Sequence, residues 1–135
     1  MNGMKIMEYP FPDEPAATGY CVFPAELEDD ELVLFHATPA ENLEAITKDG
    51  FRIPDAEGKN GLPSVSFAKR SVAALTHAMN KRAGQPGAYG ILAVRYKTLS
   101  REGLQINLCD VHDYTLDPAP EIIGFCMVPV SYAHI

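Results

Sequence analysis

The chain has few of the features that mark secreted, membrane or nucleic-acid-binding proteins. It has only three cysteines, Cys21, Cys109 and Cys126, and this odd, widely spaced set does not indicate a disulfide framework. Basic residues are scarce as well, because 11 Lys and Arg against 18 Asp and Glu give a net charge of −7. A broad surface for nucleic-acid phosphates is therefore not expected, although a few local donors can still bind a small anion.

Long apolar runs are also missing. No stretch approaches the ~18 residues that a membrane span requires, so no membrane partner is expected. The first residues, MNGMKIMEYP, lack the apolar segment of a signal peptide. With reduced thiols, this favours a cytoplasmic protein, or one delivered as an effector. Cys109 and His112 form half of a zinc pattern that no second close pair completes, so we expect no metal.

The length and the order of the elements predict one α+β domain. A chain of 135 residues, 47% of them hydrophobic, can bury a hydrophobic core without the help of disulfides or metal ions. We expect a single domain over residues 1–135, with 1–30 as an irregular lead-in that ends in an acidic turn. Helical patterns come early and strand patterns dominate late, which favours split or antiparallel sheets over a doubly wound fold.

The stretch 32–52 carries the strongest local signals. An apolar run from Leu32 to Phe35 predicts a buried strand, and His36 follows it. Thr38 is a candidate N-cap with Pro39 at the first helical position, and Glu41 would complete a capping box. Gly50 supplies the stop of that helix. The sequence therefore predicts a strand, a polar corner and a helix in direct succession.

Other segments predict further elements more briefly. We expect an edge strand at 20–23, a short strand at 63–67, a helix at 69–82, a central strand at 89–97, a half-buried strand through Leu104, Ile106 and Leu108, a loop at 110–120, and a last strand at 121–128.

Five polar residues are candidates for chemistry, although each has a plain structural explanation. His36 by itself is most simply a satisfied corner histidine, and Ser64 and Ser66 by themselves are alternate residues of a strand. Glu121 at a strand start is unusual, because acids are depleted in strands, but an edge position explains it. His77 lies within the predicted helix. Their order along the chain gives them more weight than any one has alone.

Three ordered segments resemble the ADP-ribosyltransferase family, which includes poly-ADP-ribose polymerases and diphtheria-like toxins. The segments are FHATPAENLEAITKDGF at 35–51, GLPSVSFAKRSVAALTH at 61–77 and PAPEIIG at 118–124. They are similar to the family's opening strand with its histidine corner, its second strand and following helix, and the strand that begins with the catalytic glutamate. The resemblance implies split β-sheets around an NAD cleft, flanked by two main helices. It also implies transfer of ADP-ribose from NAD, the co-substrate, to a macromolecular acceptor, in the manner of a toxin or effector.

The resemblance also implies roles for individual residues. Glu121 and His36 would be the catalytic pair: Glu121 would favour the oxocarbenium-like state of the reacting ribose, and His36 would bind the adenine-side ribose. Ala37 would hold the nicotinamide amide through its backbone, and His77 would stack on the nicotinamide ring. The remaining NAD-binding residues would be Thr38, Arg52 toward the pyrophosphate, Ser64, and Ser66 or Phe67 at the position of the family's tyrosine. We therefore expect His36, Ser66, His77 and Glu121 to line one cleft.

Two alternatives stay open beside this interpretation. One is an NAD-using RNA 2′-phosphotransferase on the same scaffold, which would need several basic residues around the site. The other is a catalytically degenerate domain that binds a nucleotide or a protein, since Ala37 replaces the family's usual glycine. Ala119, two residues before Glu121, disfavours arginine as the acceptor, because arginine-modifying relatives carry an acid or amide there.

Overall fold

The structure, a computed structural model, describes residues 6–53, 63–84 and 86–132. The predicted loop at 55–61, the first two residues of the 61–77 segment and the end of the chain from 133 onward lie outside the described residues. The strands are β1 (Met7–Tyr9), β2 (Val33–Pro39), β3 (Val65–Ala68), β4 (Tyr89–Arg95), β5 (Leu104–Ile106), β6 (Asp110–Asp113) and β7 (Glu121–Val128). The helices are α1 (Ala25–Glu28), α2 (Ala40–Asp49) and α3 (Ser71–Arg82), with a 3-10 helix at Pro15–Thr18.

Within the described residues, the strands form one mixed sheet, which confirms the α+β class. The strand order is β1-β7-β4-β2-β3-β6-β5, and only the pairing of β1 with β7 is parallel. As its continuous apolar sequence predicts, β4 is central and is buried from Tyr89 to Val94. The last strand also has its predicted bounds, Glu121–Val128.

The sheet is weakest between β2 and β3. β2 pairs with β4 along its whole length, from Val33 to Pro39, whereas it pairs with β3 only at Phe35 and Ala68. Beyond that point the two strands diverge. One apolar core lies beneath α3 and includes Phe35, whereas a second core includes Phe67 of β3. The divergence leaves an opening in the middle of the sheet, where α2 and α3 approach it.

The start of α2 differs from the predicted one. Thr38 belongs to β2 and is buried, and α2 begins at Ala40 after Pro39, with no side-chain capping bond. The strand continues because Thr38 and Pro39 pair with Gly90 and Tyr89 of β4. Pairing with β4 therefore keeps Thr38 and Pro39 in the strand, although the local sequence pattern assigned them to the start of the helix. The C-terminal end of α2 is as predicted, since Gly50 has a φ of 87° and its N–H donates a hydrogen bond to the carbonyl oxygen of Ile46.

The largest difference lies after residue 103. Residues 110–113 were predicted as loop but form β6, which pairs with β3 on one side and β5 on the other. β5 ends at Ile106, so the expected strand position Leu108 lies in the connecting turn and is 90% exposed. A strand with three polar residues in four has almost no local strand signal, and it forms because two neighbouring strands supply its hydrogen bonds.

The N-terminal segment is more ordered than the predicted lead-in. The edge strand is β1 rather than residues 20–23, and α1 falls within the acidic segment. Glu28 of α1 is buried, and its carboxylate accepts hydrogen bonds from the backbone N–H groups of Phe23 and Ser71 and from the Ser71 hydroxyl. Ser71 is the first residue of α3. This carboxylate therefore fixes the N-terminus of α3 and stabilises its dipole.

A buried carboxylate also fixes the end of β6. Asp113 has a side chain that is 0% exposed, and it lies 2.6 Å from the guanidinium of Arg101. It accepts a hydrogen bond from the Tyr96 hydroxyl at 2.7 Å and bonds from the backbone N–H groups of Thr115 and Leu116. Burial opposes its ionisation, but these hydrogen bonds outweigh burial and lower the pKa of Asp113.

Replacing Asp113 tests this network. Asp113→Ala should lower the free energy of unfolding by about 3 kcal/mol, because removing one partner leaves the charge of Arg101 uncompensated in a largely buried position. The matched control is Asp30→Ala, since Asp30 pairs with Arg95 at 3.5 Å where both side chains are partly exposed. The control should cost under ~1 kcal/mol. Urea unfolding measures both, and equal losses would contradict the importance assigned to Asp113.

Candidate functional site

A cleft opens where β2 and β3 diverge. Its volume is about 910 Å³, and α2 and α3 form its walls. The polar residues that line it are Asn42, Asp49, Arg52, His36, Ser64, Ser66, His77, Lys81, Cys109 and Asp110. Phe35, Ala37, Ile46, Phe51, Ala68 and Ala74 are among its apolar lining residues. Described residues from several separate elements therefore meet at one concave surface.

His36 spans the gap between the diverging strands. Its Nδ1–H donates a hydrogen bond of 2.7 Å to the carbonyl oxygen of Ser66, where the backbone ladder between β2 and β3 has ended. Phe51 and Phe67 pack around the ring, with centroids 5.3 and 5.6 Å away. Because Nδ1 carries the proton, Nε2 of the neutral ring is an acceptor. His36 thus provides a fixed hydrogen-bond acceptor in the cleft.

Basic groups on α3 add positive charge to this surface. His77 and Lys81 are four residues apart, so they share one face of the helix. Burial is the main cause that lowers the pKa of His36, and the charges of Lys81 and His77 lower it further against the opposing hydrogen bond to Ser66. Burial and then the charge of Lys81 lower the pKa of His77. Both imidazoles are therefore predominantly neutral near pH 7, and Lys81 is the cation beside them.

Asp110 adds a carboxylate to the lining of the cleft. Asp110 is the first residue of β6 and lies opposite Ala68 of β3, at the point where β3 also meets β2. The side-chain amide of Asn107 donates a hydrogen bond of 2.7 Å to its Oδ1. The Asp110 side chain is 42% exposed, so its carboxylate is held by Asn107 and is still accessible at the cleft.

Most of the residues named from the sequence meet at this cleft. His36, Ala37, Arg52, Ser64, Ser66 and His77 all line it. Thr38 does not, because it is buried where β2 pairs with β4. Phe67 lies behind the cleft, buried in the second core and packed against His36.

Glu121 lies outside the cleft, contrary to the expected placement. It begins β7 opposite Arg95, and β4 separates β7 from β2. The strand spacings and the register offset put its Cα atom roughly 14 Å from that of His36. The acid at a strand start that does reach the cleft is Asp110. Glu121 was expected in the cleft because the segment PAPEIIG resembles the strand that begins with the family's catalytic glutamate, whereas residues 110–113 were predicted as loop.

Sequence reasoning missed two residues of the site. Lys81 was placed in the last turn of α3 but not assigned to the cleft, although its spacing of four from His77 was the available signal. Asp110 had a weaker signal, the alternation of Asp110 and His112 with the buried Val111 and Asp113. That alternation is visible only once residues 110–113 are read as a strand.

Comparison with known proteins gives no further assignment, because neither a protein-family model nor a curated protein matches this chain. Among the described residues, no helix has both the length and the apolar character to cross a membrane. The same residues contain no group of three or more His, Cys, Asp or Glu placed to hold a metal ion. Assignment of the site therefore depends on its geometry and its sequence resemblance.

The lowered pKa of His36 predicts an acid-sensitive fold. In the unfolded chain this histidine gains a proton near pH 6.5, whereas in the folded protein it stays neutral to a lower pH. Its contribution to stability is complete above about pH 6.5 and is lost as the pH falls through the lowered pKa. We expect the melting temperature to decrease between pH 7 and pH 5, and to decrease less steeply in His36→Gln. Identical slopes in scanning fluorimetry would contradict the assignment.

Proposed function

We propose that this protein binds NAD in the cleft and transfers its ADP-ribose group to a macromolecular acceptor. One observation carries the proposal: His36, Ser66, His77 and an acidic residue, Asp110, converge on one cleft from separate elements. His36, Ser66 and His77 belong to the first two segments that resemble ADP-ribosyltransferases, whereas the acid at the cleft lies outside the third segment, in which the resemblance names a glutamate. The acid is Asp110 in place of Glu121.

The shape of the sheet supports the finer fold assignment. The family resemblance implies split sheets around an NAD cleft, and in this chain β2 and β3 share only one paired position before they separate. The cleft lies at that separation, and α2 and α3 flank it. Its volume of about 910 Å³ falls within the range of roughly 300–1,000 Å³ that is usual for sites of small molecules and cofactors.

The polar groups suit the two ends of NAD. Nε2 of His36 can accept a hydrogen bond from a ribose hydroxyl, and Lys81 and Arg52 can bind the pyrophosphate. The neutral ring of His77 can stack on the nicotinamide, since an uncharged ring avoids repulsion with the pyridinium. The fixed backbone beside Ala37 can hold the carboxamide. A net charge of −7 does not by itself exclude this binding, because two cations, Arg52 and Lys81, line the cleft beside the acids Asp49 and Asp110.

Asp110 is the group that we propose acts on the reacting ribose. When the bond between C1′ and the nicotinamide nitrogen breaks, nicotinamide leaves with the electron pair and the ribose becomes oxocarbenium-like. A nearby carboxylate stabilises that positive charge, and the stabilisation is largest in the transition state. A nucleophile of the acceptor then bonds to C1′. Water can take the place of the acceptor, so slow NAD hydrolysis is the simplest reaction to measure.

Binding can be tested by thermal stability. NAD should raise the melting temperature, because a ligand that binds only the folded protein stabilises it by about 2.7 kcal/mol at 100 times its dissociation constant. Lys81→Ala should weaken the effect, since it removes the cation beside His36 and His77. Lys97→Ala, on an exposed residue after β4, is the matched control and should behave as wild type. No shift at millimolar NAD would contradict the proposal.

Catalysis can be tested by substituting two carboxylates, because the proposal predicts opposite results for them. Asp110→Asn keeps the side chain's shape and removes its charge, and it should reduce NAD hydrolysis about 100- to 1000-fold while leaving NAD affinity nearly unchanged. Glu121→Gln makes the same chemical change outside the cleft and should leave hydrolysis unchanged. Loss of activity in Glu121→Gln with retention in Asp110→Asn would reverse the assignment of the acid. If wild-type protein neither hydrolyses NAD nor modifies lysate proteins with labelled NAD, the proposed activity is wrong.

A further inference from the structure

Three polar side chains, Ser64, His112 and Asp110, contact one another in succession. The central residue, His112, has no role in the proposal above. Ser64 Oγ lies 3.0 Å from Nδ1 of His112. Nε2 of the same ring lies 3.5 Å from Oδ2 of Asp110. Ser64 and Asp110 both line the cleft, whereas His112 is not among the described residues that line it. His112 therefore connects two cleft residues from beside the cleft, on the same face of β6 as Asp110.

The partners decide which nitrogen of His112 carries the proton. The Asp110 carboxylate only accepts hydrogen bonds, so Nε2 must carry a proton for an attractive contact. In the neutral ring, Nδ1 is then an acceptor, and the Ser64 hydroxyl donates to it. Ser64 thus selects the tautomer that faces Asp110, in the way that the second partner of a histidine usually does.

The ring of His112 has little freedom to move. It lies opposite Ser66 in the pairing of β3 with β6 and opposite Gln105 in the pairing of β5 with β6. The Tyr114 ring stacks on it, with centroids 6.3 Å apart and an interplanar angle of 30°. The Tyr114 hydroxyl is itself held by Gln105. The imidazole is therefore a rigid support rather than a side chain free to swing into the cleft.

His112 and Asn107 together restrict the orientation of the Asp110 carboxylate. Asn107 binds Oδ1 at 2.7 Å, and His112 approaches Oδ2 from the other side. A carboxylate with 42% exposure and only one partner could rotate about its χ angles, whereas two partners restrict that rotation. We infer that His112 is a positioning residue, which Ser64 orients so that the Asp110 carboxylate faces the reacting sugar. The inference rests on the proposed function, with Asp110 as its acid.

Two substitutions of the same residue separate positioning from structural support. The amide nitrogen of Gln can reach the place of Nε2, so His112→Gln retains a donor to Asp110. The amide of Asn reaches only the place of Nδ1, so His112→Asn keeps a partner for Ser64 and loses the contact with Asp110. His112→Asn should lower kcat about tenfold to a hundredfold, with KM changed less than about twofold, and His112→Gln should restore most of kcat.

The control is Tyr114→Phe, which keeps the stacked ring, removes only the bond to Gln105 and should leave kcat unchanged. Melting temperatures of all variants identify any loss caused by unfolding. Equal kcat values in wild type, His112→Gln and His112→Asn would overturn the inference. So would equal losses in the two His112 variants, since that result indicates only structural support.

A second measurement does not need activity. The ¹⁵N chemical shifts of the His112 ring report its tautomer, and wild type at neutral pH should show the proton on Nε2. Ser64→Ala should shift the ring toward a mixture of tautomers and lower kcat, with a smaller effect than His112→Asn. A proton on Nδ1 in wild type would overturn the inference. If the shifts are as expected but wild type has no activity on NAD, the proposed function fails while the Ser64–His112–Asp110 geometry stands.

Discussion

One hydrogen bond, from His36 Nδ1–H to the carbonyl oxygen of Ser66, holds the sheet together where its backbone pairing stops. β2 and β3 pair through their backbones only at Phe35 and Ala68, and this side-chain bond adds a second link between them by giving the Ser66 carbonyl a partner. The bond allows the sheet to open without losing its continuity. It also fixes the histidine ring, so the residue that closes the structural gap is the one whose second nitrogen faces the cleft.

Two buried carboxylates hold the sides of this opening. Glu28 anchors the first turn of α3, the helix that carries His77 and Lys81. Asp113 anchors the end of β6, the strand that begins with Asp110. Each of these carboxylates binds backbone N–H groups, and neither lines the cleft. The site is thus set by groups that do not line it, and small changes in either anchor would move a residue that does.

The cleft also shows how local charge differs from net charge. The chain has a charge of −7, yet the cleft lining is close to neutral, because it contains two cations, Arg52 and Lys81, and two acids, Asp49 and Asp110. At physiological ionic strength, the influence of exposed charges fades over about 8 Å, so the acidic residues elsewhere act only weakly on a ligand within the cleft. The net charge therefore does not by itself exclude a small anion from the cleft, where two cations lie.

Local sequence patterns predicted the elements whose residues pack against the core. The face of α3, the continuous apolar run of β4 and the bounds of β7 follow from periodicity and burial, and Gly50 ends α2 as its freedom at positive φ predicts. The corner at His36, Ser64 before β3 and Ser66 within it were also identified from order and spacing. These features depend on neighbours along the chain, which is the information that a sequence displays directly.

Long-range pairing decided the rest. Thr38 lies in a strand rather than a helix cap because β4 continues to pair with it, and residues 110–113 form a strand because β3 and β5 supply hydrogen bonds that their own composition does not favour. That pairing brings Asp110 to the cleft and leaves Glu121 beyond β4. The sequence by itself determined which polar residues are candidates for the site, whereas the tertiary structure decided which acid lies at the cleft, because strand order is set by contacts between distant segments.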